Sequence, residues 1–521
     1  MPQFMQQFYS SADYSLALPM LLLTLFGSGI LLIDLMLPEE WKSANAWTAL
    51  VGLGFAGFAV YRIQAAYGAV EAGGVGGLDF TGFGGALIVD RFAIYFFYLF
   101  LLAAAISIAM SVRYLEVEQA HHGEFYAMIL FSVVGMMAMA SGFDIVLLFI
   151  GLELMAISTY ILVGFLRRDR RSNEAALKYM LLGAFSSGIF AYGLSLFYGL
   201  TGSTNVGEIT FGLAQHVSQN PKDPVVVLAM ITTAAGLFFK VAAVPFHQWA
   251  PDAYEGAPTT ITGFMSVAVK AASWALLLRI FLYAMDPLRP LYLPLVIFVA
   301  IATMTGGNLG ALGQTNLKRL LAYSSIAHVG YMLLGLVAGN ATETSATGIK
   351  GILVYLLVYT FMNLGAFAVI TSLRRRDIIG DELADINGLY FKAPYSAVLM
   401  LAFLLSLTGI PPMAGFYGKY FIFLALIETG SAEHPLNFYL AGLAVIYVAI
   451  SLYYYLRIAN AMFMGEAADA EPVRLAPGVG VALAVTGAAT IGIGIFPEMF
   501  LRAADWSLRL GTSATTAGLL R

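Results

Sequence analysis

The sequence predicts an all-helical, polytopic membrane protein, and three observations predict it. Of 521 residues, 60% are hydrophobic and 11% charged, against the quarter or so of charged residues usual in soluble domains, and the mean hydropathy is +0.81. Apolar runs of about 20 residues, the length that crosses a ~30 Å hydrocarbon core, recur with short polar breaks between them. Lysine and arginine gather in alternate breaks, as they do when every second loop faces the cytoplasm. The formal net charge of −4 argues against nucleic acid as a partner. The absence of cysteine excludes disulfides, thiolate-held iron–sulfur clusters and cysteine zinc sites in this chain.

The first run, Leu16 to Leu37, is longer than a signal-peptide core and has no small-residue cleavage site after it, so it stands as the first helix. The others lie near 45–66, 91–112, 124–141, 143–166, 174–200, 225–248, 258–283, 291–312, 318–339, 349–373, 395–427, 438–463 and 476–499, roughly fourteen spans in all. Lys42, Arg113, the run Arg167-Arg168-Asp169-Arg170-Arg171, Lys318-Arg319, Arg374-Arg375-Arg376, Lys392 and Arg474 follow odd-numbered spans. Only Arg62, Arg91, Lys222, Arg289 and Lys350 follow even-numbered ones. The asymmetry puts the odd loops in the cytoplasm and both termini outside.

The connections near 67–90, 201–224 and 374–394 are too short to bury a core of their own. Gly73-Gly74-Val75-Gly76-Gly77 lacks the flanking strand and helix of a phosphate loop and reads as a flexible turn. The segment from Asp377 through Asp381 and Asp385 to Gly388 is a solvated connection or a contact for a neighbouring subunit. His121-His122, beside Glu118 and Glu124, reads as a solvated surface rather than a metal site.

Two spans are interrupted. The seventh contains Lys240-Val-Ala-Ala-Val-Pro245-Phe-His247, and the twelfth contains Gly409-Ile-Pro411-Pro412-Met-Ala-Gly415-Phe-Tyr-Gly418-Lys419. Proline removes a backbone donor and clashes with the preceding turn, so each helix should bend or unwind there. Unwound backbone at membrane depth is tolerated only where it lines protein or water, and paired interruptions in two halves of a transporter point to its ion site. Two ordinary proline kinks are the plainer reading, weakened by a lysine close to each break.

Charges inside these spans are costly, at least ~2.5–3.5 kcal/mol near the midplane, and call for partners. Glu153, mid-way along the fifth span, has Lys240 as its natural counter-charge, which would explain both residues structurally. Lys270, in the eighth span, has no carboxylate on its own helix. A buried amine in that position can exchange a proton near neutral pH, work to which arginine is unsuited. With Lys419 this gives three amines for one glutamate, which a simple salt bridge does not balance. His247 and His328 can pass protons between their ring nitrogens or stand as satisfied core histidines. Ser186, Ser187, Ser324 and Ser325 can hold water or serve close packing. Lys178 joins the line of sites or snorkels to the cytoplasmic interface.

The stretch Lys240-Val-Ala-Ala-Val-Pro-Phe-His-Gln-Trp-Ala-Pro-Asp-Ala-Tyr-Glu-Gly-Ala-Pro-Thr resembles the signature of the antiporter-like subunits of respiratory complex I and of multisubunit cation/proton antiporters. The resemblance covers essentially the whole chain. Within that family, Asn316-Leu-Lys-Arg-Leu-Leu-Ala-Tyr-Ser-Ser-Ile-Ala-His-Val-Gly-Tyr and Gly409 through Lys419 look most like the bacterial N-type members. The L-type carries a long lateral helix beyond the fourteenth span, and the M-type is expected to have glutamate where Lys419 stands.

The resemblance implies two inverted five-helix repeats with broken helices 7 and 12. The chain would divide into an N-terminal three-helix segment (1–115), a first repeat of helices 4–8 (116–285), a second of helices 9–13 (286–465), and helix 14 with a tail (466–521). Lys240 precedes its proline while Lys419 follows its prolines, and the tenth span has no carboxylate matching Glu153, so a second Glu–Lys pair is not expected.

It further implies proton transfer by Glu153, Lys240, Lys270 and Lys419, with His247, His328 and Lys178 as further candidates. A signal from quinone reduction would change the Glu153–Lys240 interaction and send a proton through Lys270 towards Lys419. No cofactor or metal is expected in this chain; FMN, iron–sulfur clusters and quinone belong to partner subunits of a NADH:quinone oxidoreductase. Expected partners are an M-type neighbour, small subunits such as K and J, and lipids, in a bacterial inner membrane with both termini periplasmic. The alternatives are a subunit of a cation/proton antiporter or a hydrogenase-type complex, and a helical scaffold whose buried charges fix register.

Overall fold

The computed structural model describes residues 11–71, 80–220, 223–339, 346–374, 380–430, 435–466 and 475–508. The Gly73–Gly77 turn, Lys222, Arg375, Arg376, Arg474 and the two chain ends lie outside the described residues. Three helices open the chain, α1 (Ser11–Asp34), α2 (Ala44–Glu71) and α3 (Arg91–Val117). Between α2 and α3 lies a small antiparallel hairpin, Thr81–Gly82 against Leu87–Ile88. The stretch expected to form the first repeat holds α4 (Gly123–Ser141), α5 (Ile145–Val163), α6 (Arg170–Thr201), α7 (Val206–Gln219), α8 (Pro224–Val241), α9 (Trp249–Gly256) and α10 (Thr259–Ala284). The stretch expected to form the second holds α11 (Arg289–Leu312), α12 (Leu317–Ala338), α13 (Ala346–Leu373), α14 (Pro394–Thr408), α15 (Gly415–Thr429) and α16 (Leu436–Met464). Then come α17 (Pro477–Ile495) and α18 (Glu498–Leu508).

Among the described residues, 13 helices are long and apolar enough to cross a membrane. The expected twelfth span is instead two short helices, α14 and α15, separated by Gly409–Ala414. Its prolines take away donors where the span would need a continuous backbone ladder. The seventh span breaks in the same way, α8 ending at Val241 and α9 starting at Trp249. The breaks share a further feature: the residue closing each first half is left-handed, Ala242 at φ 62° and Gly409 at φ 90°.

Two elements differ from the sequence reading. The 201–224 connection contains α7, whose Val206, Ile209 and Leu213 are buried at helical spacing while polar residues on its other side hide it from a hydropathy window. The tail contains α18, which packs on α3 and α13. The loop near 380–388 is also less solvated than expected. Asp381 is buried and 3.6 Å from Lys318, and Asn316 Nδ2 donates to Glu382 at 3.1 Å.

The two repeats place their parts alike. Helix α4 lies along α5 as α11 lies along α12, and α6 packs on α8 as α13 packs on α15. Asp144 caps α5 and bridges to Asn205 past α6; Asn316 caps α12 and bridges to Glu382 past α13. The core of the molecule is where the repeats meet, and α10, α12 and α13 are each 94% buried over their most apolar window.

Candidate functional site

The three lysines are withdrawn from the surface, with relative exposures of 6% for Lys240, 3% for Lys270 and 5% for Lys419. Each reaches that position through a local break in helical regularity. Lys240 occupies the last turn of α8, where carbonyls lack intrahelical donors and the dipole favours a cation, and its Nζ lies 5.8 Å from the Phe239 ring centroid. Lys270 directly follows a π-helical turn, Met265–Val269, a widening that recurs at functional sites. Lys419 sits in α15 but folds back: its Nζ donates to Leu407 O at 3.0 Å and Thr408 O at 2.7 Å, the terminal carbonyls of α14. The sequence order, one lysine before its prolines and one after, therefore conceals a shared placement. Both amines stand at the C-terminal end of the first half-helix.

Gly409 makes this return possible. A Cβ there would lie 2.9 Å from Lys419 Cδ, so a side chain would both strain the left-handed backbone and push the lysine stem away. The corresponding Ala242 has no such stem to admit.

Glu153 is half-buried in α5, and its Oε1 has no hydrogen-bond partner among the described residues. The expected Glu153–Lys240 ion pair is corrected by the structure. No ion pair within 4.0 Å joins them among the described residues. The two lie on α5 and α8, and α6 packs against both helices. Around them Tyr160 OH, Ser186 Oγ, Ser187 Oγ, Thr233 Oγ1 and His247 Nδ1 are likewise buried without a protein hydrogen bond. His247 lies in the break between α8 and α9, as expected.

The second group is joined directly. Lys270 Nζ donates to Ser325 O at 3.1 Å and makes a short hydrogen bond to Ser325 Oγ. One turn further along α12 is His328, 2% exposed. Its Nδ1 is hydrogen-bonded to Tyr355 OH and its Nε2 lies 3.1 Å from Tyr455 OH, which also bonds Ser324 Oγ. Another turn on, the Tyr331 ring lies 4.9 Å from Lys419 Nζ. Ser325, His328 and Tyr331 thus form one face of α12 running between the two lysines, a spacing of three visible in the sequence. Tyr355 and Tyr455 come from α13 and α16, and nothing local in the sequence marks them.

Lys178 lies apart from this line. It is 46% exposed and ion-paired to Glu174 at 2.9 Å and Asp252 at 3.0 Å. Asp252 also pairs with Arg319 at 2.6 Å. Burial opposes the Asp252 charge, but Arg319 and Lys178 outweigh it and hold its carboxyl below the usual carboxylate range. His121 is partly buried, its Nε2 3.2 Å from Tyr126 OH, while His122 is exposed, as a solvated surface requires.

A family model described as NADH:quinone oxidoreductase/Mrp antiporter, TM, matches residues 142–445. NADH-quinone oxidoreductase subunit N 1 of Koribacter versatilis is 64% identical over 98% of both chains, and subunit N 2 of Solibacter usitatus is 54% identical over 96% of this chain and 98% of that one. Among solved structures, a chain of respiratory complex I from Thermus thermophilus with bound aureothin is 32% identical, with a TM-score of 0.74 over 93% of this chain and 99% of that chain. A chain of the Mrp complex from Dietzia shares the fold at 21% identity, with a TM-score of 0.76 over 96% of this chain and 98% of that one.

Proposed function

The chain belongs to the NADH:quinone oxidoreductase/Mrp antiporter family, in its subunit N branch, and from that premise we propose that it is the proton-translocating subunit N of a bacterial respiratory complex I. The enzymatic activity is that of the complex. FMN, iron–sulfur clusters and quinone belong to partner subunits, and this chain moves protons. It lies in the inner membrane beside an M-type neighbour and small subunits such as K and J, with both termini periplasmic. The mutual relation of the four charged residues supports this reading over a bare scaffold, which would need a counter-charge for each lysine. Lys270 and Lys419 have none within ion-pair distance among the described residues.

The observation that carries the mechanism is the line of polar groups along α12, with Lys270 bonded to Ser325, His328 one turn on between Tyr355 and Tyr455, and Tyr331 beside Lys419. A change in the Glu153–Lys240 separation, driven by quinone reduction elsewhere, alters the field at Lys240 and its hold on a proton. The proton passes to Lys270. His328, with tyrosine hydroxyls on both ring nitrogens, accepts on one nitrogen and releases from the other, and Lys419 takes the proton at the second break. His247 serves the first half-channel at its break, whereas exposed, ion-paired Lys178 is placed at the cytoplasmic rim.

Lys270→Arg tests this. Guanidinium retains the charge but stays protonated, so the variant complex should assemble while redox-driven proton uptake into sealed inverted vesicles is largely lost. Wild-type proton yield per NADH would leave Lys270 a structural cation. Purification in mild detergent discriminates the antiporter reading: flavin and iron–sulfur subunits should accompany the chain.

A further inference from the structure

We propose that Asp505, on α18, is the proton-release group at the outer end of the path from Lys419, with Lys350 holding it in place. The inference rests on the proton-translocating function above and extends it to residues beyond the membrane-depth line. Lys350 Nζ lies 2.8 Å from Asp505 Oδ1 and 2.9 Å from Oδ2, and 4.8 Å from the centroid of the Phe421 ring. Phe421 belongs to α15, the helix that carries Lys419. Along the groove between α13 and α15, Gly418 packs against Tyr355 and Gly351 against Ile422. Lys350 is five residues before Tyr355 on α13, a rise of about 7.5 Å, and Tyr355 OH is bonded to His328. The ion pair therefore sits at the end of the same two-helix groove that holds Lys419, on the side away from α14.

Exposure grades along this direction. The relative exposure is 5% for Lys419, and the side-chain values are 19% for Lys350 and 39% for Asp505. A carboxylate at that boundary can take a proton from the interior and give it to bulk water. The pair is not needed to hold α18 in place. Ala504 and Ser507 are buried at 0% and 2%, Trp506 lies under the Arg91 guanidinium at 5.2 Å, and ion pairs this exposed add little to stability. The other carboxylate of α18, Glu498, is exposed and engaged with Arg502 on its own helix at 3.0 Å.

The step is a simple proton transfer. An N–H bond of the Lys419 ammonium breaks, water in the groove carries the proton outward, an O–H bond forms on Asp505, and that proton then leaves to the outer medium. Lys350 stays protonated and orients the carboxylate.

The test is Asp505→Asn, introduced into the whole complex and read in sealed inverted vesicles. Asparagine keeps the shape and a hydrogen bond to Lys350 but cannot carry the proton. The expected result is a normally assembled complex with a lowered proton yield per NADH oxidised, restored towards wild type in Asp505→Glu. An unchanged yield in Asp505→Asn overturns the proposal, as does an equal loss in Asp505→Asn and Asp505→Glu, which marks a structural latch. Lys419→Met, measured beside them, separates the levels of failure. A loss there with none in Asp505→Asn removes only the release group, whereas no loss in either removes the path through Lys419 itself.

Discussion

The two repeats carry the same parts and connect them differently. In the first, Glu153 Oε1, Tyr160 OH, Ser186 Oγ, Ser187 Oγ, Thr233 Oγ1 and His247 Nδ1 are buried without protein partners among the described residues, and Glu153 makes no ion pair with Lys240 there. In the second, Ser325 bonds Lys270 reaching across from α10, Ser324, Tyr455, His328 and Tyr355 bond in a chain, and Lys419 is held by two carbonyls. Buried polar groups require partners, so the first repeat leaves hydrogen-bonding capacity for water or a neighbouring chain, while the second satisfies His328 and Lys419 internally and leaves Tyr331 OH and Tyr359 OH open. The difference follows from a single register position. Glu153 and Ser325 stand the same number of residues beyond their helix caps, Asp144 and Asn316. A carboxylate there makes a field that can be modulated, and a hydroxyl makes a relay. On the proposed function, the first repeat is the input that responds to redox chemistry and the second the conductor that follows it.

The largest expected effect lies in the conductor. Lys419→Met keeps an apolar body of similar length with no proton to give, and redox-driven pumping should fall by the ~10²-fold or more that positioned proton donors contribute. Lys419→Glu should retain part of it, since burial raises a carboxylate's pKa as it lowers an amine's, and both approach the working pH from opposite sides. Initial rates of vesicle acidification, normalised to assembled complex, measure this. Equal rates for wild type and Lys419→Met would break the distinction between input and conductor.

The helices were legible in the sequence because membrane insertion imposes a length and a hydropathy that a linear reading captures. Glu153, Lys240, Lys270 and Lys419 were legible for the complementary reason, as charges where apolar residues belong. Their connections were not. That Lys419 folds back onto α14 depends on space at Gly409, a three-dimensional fact. That Lys240 lacks an ion pair with Glu153 depends on how α5 and α8 are set against α6, which the linear order does not show. Amphipathic α7 and α18 escaped because their polar faces dilute any hydropathy window. Tyr355 and Tyr455 escaped because tyrosine is common in such helices, and only convergence on His328 distinguishes these two.

The next effect sharpens the comparison of the breaks. Gly409→Ala puts a Cβ on a left-handed residue, at roughly 1–2 kcal/mol, and against the Lys419 stem. Pumping should drop several-fold and thermal stability should fall. Ala242→Gly relieves the same backbone strain in the first break and displaces nothing, so activity should stay near wild type, with stability changed by about 1 kcal/mol or less. Similar losses from the two substitutions, in activity and in the melting temperature of the purified complex, would show that the breaks differ in something other than room for a lysine.

The smallest expected effects are at the tyrosines, and they test whether the second repeat conducts as a network. Tyr355→Phe removes one hydroxyl from His328 and leaves the other ring nitrogen bonded to Tyr455; Tyr455→Phe does the reverse. A neutral hydrogen bond contributes about 0.5–1.5 kcal/mol net, so each single substitution should slow pumping only a few-fold. The double substitution strands both ring nitrogens in a fully buried site, where an unmet polar group costs more than the lost bond itself. Its effect should therefore exceed the product of the singles, a non-additivity expected of residues that share a partner. Strictly multiplicative losses would mean that His328 is held by packing alone, and that the proton reaches Lys419 without using its ring.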